Sequence, residues 1–146
     1  MIPRRWAGDE GSAVVEFVTL GVLLLVPVVY LVMTLGRIQA AAFAAEGAAR
    51  EAGRVFVTAD DEASGSARAR AVVVLAAHDQ GFDDIDPDAA ITIECSSSPC
   101  LTPESRVLVR VEIVAVLPGV PAFVDAVVPT RVPVRAHSVT VVDRFA

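Results

Sequence analysis

Phe17 to Gly36 is a run of twenty residues without a charged side chain. At about 1.5 Å per residue a helix of that length spans roughly 30 Å, the thickness of a bilayer's hydrocarbon core. Buried helices of water-soluble domains are seldom so long or so uniformly apolar, so a membrane-inserted helix is the expectation. With that segment committed, a chain of 146 residues has room left for one small domain.

A cleaved secretory signal is the plainest competing explanation. Arg4 and Arg5 suit its basic head, and Ala40–Phe43 resembles a small-residue cleavage site. Against it, the apolar run exceeds the roughly 7–15 residues of a signal core, and Asp9 and Glu10 stand where such a head is basic. A retained helix is therefore expected. Charge does not orient it, because Arg4 and Arg5 precede the run while Arg37, Arg50 and Arg54 follow it. Pro27 removes one backbone hydrogen bond in mid-span and tends to kink a helix, which membrane helices tolerate.

One residue sits badly in this segment. Glu16 immediately precedes the uncharged run, after Ala13, Val14 and Val15. An ionised side chain at mid-membrane costs about 2.5–3.5 kcal/mol on insertion scales. Near the end of the span the cost is smaller, yet any apolar residue would abolish it. No Arg, Lys or His lies within one helical turn of Glu16, so its partner is expected from outside the segment.

Gly11-Ser-Ala-Val-Val-Glu16-Phe17 resembles the prepilin pattern: a Gly before a peptidase cut, four residues, Glu, then an aromatic at the head of an apolar helix. The Glu-Phe pair, Arg37 beyond the apolar run and AAREAGR at Ala48–Arg54 are similar to TadE-type minor pilins (pseudopilins) of tight-adherence type IV pilus systems. The resemblance covers about the first 57 residues, and beyond them only a strand-rich, Pro-containing ending matches. It implies a prepilin-peptidase cut between Gly11 and Ser12, and an N-terminus in the cytoplasm. Ser12 would then carry a free amine of reference pKa about 7.7–8.0. In the family, Glu16's partner is that amine on a neighbouring subunit, and opposite charges in low dielectric attract strongly once their desolvation is shared. Gly at the cut suits a peptidase that must approach the backbone closely. The implied layout is a leader over 1–11, a membrane helix over 12–36, its continuation over 37–57 and an α+β extracytoplasmic domain over 58–146.

Past the membrane segment, Arg37–Phe56 reads as continued helix. Ile38, Ala42, Ala45, Ala49, Ala52 and Phe56 alternate spacings of four and three, a stripe that would face a local core or a partner helix. Glu46 and Arg50 stand i,i+4 in the favourable order. Thr58 and Asp61 resemble a helix-starting box for a second helix from about Asp61 to His78, ending near Gly81, with Gly65 weakening its first turns. Ala71–Leu75 is β-branched enough for a strand to compete. Asp83, Asp84, Asp86 and Asp88 lack the EF-hand calcium spacing, and a solvated turn around Pro87 is expected there.

The last third changes to period two. Ala90–Cys95, Arg106–Leu117 and Arg131–Val142 read as strands. On the third, Val132, Val134 and Ala136 share one parity and Val139 and Val141 the other, which asks for a bulge or twist near His137–Ser138. Leu117–Pro129, with three prolines and one Gly, reads as a long loop. Cys95 and Cys100, an even pair in an exported domain, read as one disulfide closing the loop between the first two strands. Their spacing is not the C-x-x-C of a redox site, and two cysteines alone do not hold zinc.

Composition excludes several functions. A formal charge of −6 and a pI near 4.8 oppose phosphate backbones, and the twelve cationic side chains, all arginines, are scattered, so no nucleic-acid partner is expected. His78 and His137 sit in no triad or ligand spacing, and no phosphate loop or nucleophile elbow occurs. No catalysis, cofactor or metal is expected. The expectation is an α+β, pilin-like membrane protein: a long N-terminal transmembrane helix extending into a small antiparallel sheet, whose partners are the membrane, a prepilin peptidase and other pilin subunits. The alternative is a signal-anchored, exported binding module of unknown ligand.

Overall fold

The computed structural model describes residues 10–119 and 130–143, with side chains from Ala13 onward. Most of the proposed leader and most of the Leu117–Pro129 connection lie outside the described residues. The elements are α1 (Glu10–Val57), α2 (Glu62–Asp79), α3 (Pro87–Ala90), β1 (Ile91–Cys95), β2 (Arg106–Val116) and β3 (Arg131–Val141). They fall into two compact units, one ending at Leu35 and one beginning at Gly36, with α1 contributing to both.

The first unit is apolar helix. From Ala13 to Met33 every side chain is exposed, and the helix is long and apolar enough to cross a membrane. Helical structure continues through Pro27. Because proline has no N–H, the Leu23 carbonyl there loses its usual i+4 donor.

The second unit packs the remainder of α1, together with α2, on a small sheet. Ala45, Ala49 and Ala52 of the expected stripe are fully buried and Phe56 nearly so, while Ile38 and Ala42 are partly buried. Ala41, Ala44 and Ala48 are buried as well, which makes the stripe two residues wide. It faces this chain's own core, shared with Val73 of α2 and Val107, Val109 and Val111 of β2. Small side chains let backbones approach closely, and the approach is tightest at Gly53. A Cβ there would sit 2.7 Å from Thr140 Oγ1 on β3.

Asp61 alone starts α2, its Oδ1 accepting from the Ser64 N–H at 2.9 Å. Thr58, expected to share that task, instead donates its hydroxyl to the Arg54 carbonyl at 3.0 Å and so belongs to the end of α1. The β-branched run within Ala71–Leu75 is helical, because Ala69, Val73 and Ala77 are buried at helical spacing and tertiary burial overrides a weak strand preference. Packing is tight at Gly65. A Cβ there would lie 3.1 Å from both the Phe56 ring and the Phe56 carbonyl. The turn expected around Pro87 contains α3, one helical turn with Asp86 as its cap and Pro87 in its first positions.

The sheet is antiparallel in the order β1-β2-β3. Strand bounds fall within one residue of those read from the sequence. On β2, Val107, Val109, Val111, Ile113 and Ala115 point inward and are buried. The bulge expected near His137–Ser138 is absent: β3 pairs with β2 from Arg131↔Val116 to Val141↔Arg106 without interruption. Parity therefore holds along the strand. Ser138 and Thr140 point inward, and Val139 and Val141 remain on the outer face. Thr140 fits inside because Gly53 leaves room there for a short side chain.

Cys95 and Cys100 form the expected disulfide, with Cα atoms 5.3 Å apart, in the connection from β1 to β2. That loop, which holds a cis Ser98–Pro99 peptide, is tied to the start of α2 by the Cys100 N–H donating to Glu62 Oε1 at 2.6 Å.

Candidate functional site

Gly11 and Ser12 lie at the start of the described part of α1, where a glycine costs a helix about 1 kcal/mol relative to alanine.

Glu16 lies about one turn beyond Ser12 and is exposed. Among the described residues it makes no ion pair. Its i+3 and i+4 neighbours, Thr19 and Leu20, offer no charge, and Phe17 beside it is 78% exposed. The chain thus presents a carboxylate and an aromatic ring at the head of an unpacked apolar helix. Chemically the pair can accept a cation and bury an aromatic face.

Arg37, which the sequence marks only as the first charge after the apolar run, has a defined position within the second unit. Its guanidinium donates to the carbonyls of Gln80, at 3.4 Å, and Gly81, at 2.9 Å, and lies 4.2 Å from the centre of the buried Phe82 ring. A cation at the carbonyl end of α2 complements the helix dipole, and the ring adds a cation–π contact. Sequence reasoning missed this contact. The available signal was a Gly-Phe pair directly after a helix that ends in exposed carbonyls.

AAREAGR also divides by face. Ala48, Ala49, Ala52 and Gly53 form the buried side. Outward, Arg50 meets Glu46 at 3.6 Å and Arg54 meets Glu51 at 2.5 Å. The hydrogen bond from Arg54 holds the Glu51 carboxyl below its ordinary value. Glu46–Arg50 was legible from spacing, whereas Glu51–Arg54, at i,i+3, was passed over.

The acidic residues after α2 serve local structure. Asp83 lies 3.4 Å from His78, Asp88 lies 2.6 Å from Arg70, and the Asp86 side chain accepts from the Asp88 N–H. No cluster with metal-ligand geometry occurs among the described residues. His137 is exposed on the outer face of the sheet, opposite Arg110.

No family model, characterised protein or solved structure matches this chain.

Proposed function

We propose that this chain is a TadE-like minor pilin (pseudopilin) of a tight-adherence type IV pilus apparatus: a structural subunit, not an enzyme. A prepilin peptidase cuts between Gly11 and Ser12, and the subunit assembles through its apolar helix with related subunits. The observation that carries the proposal is the exposed Glu16, without an ion pair among the described residues, at the head of an apolar helix and at the prepilin distance from a Gly-Ser junction. Alone in lipid the carboxylate is a cost, and beside the Ser12 amine of a neighbour it is compensated. Such a group favours correct register over raw stability. The helix up to Gly36 spans the membrane, with the N-terminus cytoplasmic. The disulfide in the second unit supports an oxidising, extracytoplasmic location for that unit.

Intact-mass measurement of the protein extracted from its native membrane tests this directly. A chain beginning at Ser12, two hydrogens lighter for the disulfide, is expected. A chain still beginning at Met1 overturns the pilin assignment and leaves an anchored export domain; a start near Phe43 identifies a cleaved signal instead.

A further inference from the structure

The outer face of the sheet carries more apolar surface and more positive charge than a solvated face needs. Val114, Val116, Val139 and Val141 are 40%, 48%, 58% and 54% exposed there. On the same face, by strand parity, lie Arg106, Arg110, Arg131 and Arg135, opposed within the strands themselves by Glu94 and Glu112. Glu94 pairs with Arg110, and Glu112 with Arg135 at 2.5 Å, which leaves Arg106 and Arg131 without an ion pair among the described residues. This cationic surface belongs to a chain whose net charge is −6.

The compensating acids are concentrated elsewhere. Asp79, Asp83, Asp84, Asp86 and Asp88 lie between the last turn of α2 and α3. Asp79 and Asp84 are exposed and make no ion pair among the described residues. The second unit thus has a cationic, valine-bearing face and a separate anionic crest, each suited to the other on another molecule.

We infer that the outer sheet face receives the Asp79–Asp88 crest of a second copy of this chain. The contact is face to crest, so each copy offers two complementary surfaces and can engage two others in a row. Its size sets its strength. Two strands of eleven residues give a face about 36 Å long and roughly 10 Å wide, less than half the ~800 Å² per partner of a standard stable interface. The contact therefore orders copies already concentrated in one membrane and does not hold free molecules together. It uses a different surface from Glu16 and does not require cleavage at Gly11.

The test uses the full chain in phospholipid vesicles, with Val139 replaced by the photoreactive p-benzoylphenylalanine. Irradiation is expected to give a dimer adduct whose second peptide lies within 79–88, with a yield that falls as salt rises and screens the charges. Arg106→Glu with Arg131→Glu in one variant, and Asp79→Arg with Asp84→Arg in another, should each lower the yield about tenfold, roughly 1.4 kcal/mol. Mixing the two variants should restore it, because each reversed surface then meets its complement. Hydrogen exchange of the β2 and β3 amides checks that each variant folds, and absent rescue between folded variants overturns the inference. Adducts insensitive to salt and reversal, adducts to a different segment, or adducts only to another protein overturn it equally.

Discussion

Gly53→Ala sets two effects of known sign against each other, and the structure decides between them. Replacing a helical glycine with alanine gains about 1 kcal/mol from backbone propensity. The new Cβ would stand 2.7 Å from Thr140 Oγ1, a separation that forces something to shift. Thr140 is β-branched, so turning the hydroxyl away brings its methyl toward the same space. Overpacking of this kind costs about 1–3 kcal/mol. The net expectation is destabilisation by about 1 kcal/mol. In a Thr140→Ala background the Oγ1 is gone, and the nearest atoms become the residue 140 Cβ at 3.6 Å and Val109 Cγ2 at 3.7 Å, ordinary contacts. There Gly53→Ala should stabilise by up to about 1 kcal/mol. The coupling in the double-mutant cycle is then about 2 kcal/mol, within the range for residues in contact. Hydrogen exchange of the β2 and β3 amides in the full chain, in detergent, reports the opening free energy of the second unit without interference from the apolar helix. A tenfold faster exchange corresponds to about 1.4 kcal/mol. Equal effects of Gly53→Ala in both backgrounds would refute the claim that helix and sheet meet at this point.

Other outcomes follow from single contacts. Arg37→Ala should raise exchange of the amides from Ala77 to Phe82 several-fold, because about 1 kcal/mol of dipole and cation–π interaction is lost; unchanged exchange there removes Arg37 from any structural role. Reducing Cys95–Cys100 should lower the stability of the second unit by about 2–3 kcal/mol without affecting membrane insertion, and equal exchange with and without reductant would contradict it. Asp61 has its carboxyl held below the ordinary value chiefly by the Ser64 N–H. Since its folded pKa is the lower one, its stabilisation of α2 is present above the unfolded value, near 4, and is lost as pH falls through the folded value. Acidification should therefore loosen the first turn of α2 in the native chain and less so in Asp61→Asn, which caps without titrating. Glu16→Ala should insert into membranes as well as the native chain or better, yet fail to enter pili; normal incorporation would remove the amine pairing from the proposal.

The fold was legible where one physical signal dominated. The length of Phe17–Gly36, the alanine stripe and the period-two valines of β2 each fixed the type of element, helix or strand, without conflict. On β3 the signals conflicted. Val139 and Val141 are hydrophobic but face outward, while Ser138 and Thr140 are polar but face the core. Hydropathy counted alone asked for a bulge or a twist, and the uninterrupted register excludes the bulge. What decides the strand is the close approach of α1 at Gly53, a contact between residues far apart in sequence that favours a short side chain at 140. The same cause hid Arg37, whose partners lie more than forty positions away.

The candidate site was legible for the opposite reason: nothing local explains it. Every exposed carboxylate that the structure ties down has its partner within the fold, as Glu51 has Arg54, Glu112 has Arg135 and Asp88 has Arg70. Glu16 has none among the described residues, although it stands in the segment where an unpaired charge is most expensive. On the proposed reading its partner is the amine of a second chain, which compensates the carboxylate within lipid. The same logic applies with less force to Val139 and Val141, whose exposure costs a monomer solubility. The two proposals therefore rest on separate surfaces, Glu16 in the apolar helix and the valine-bearing face of the sheet, and each can fail without the other.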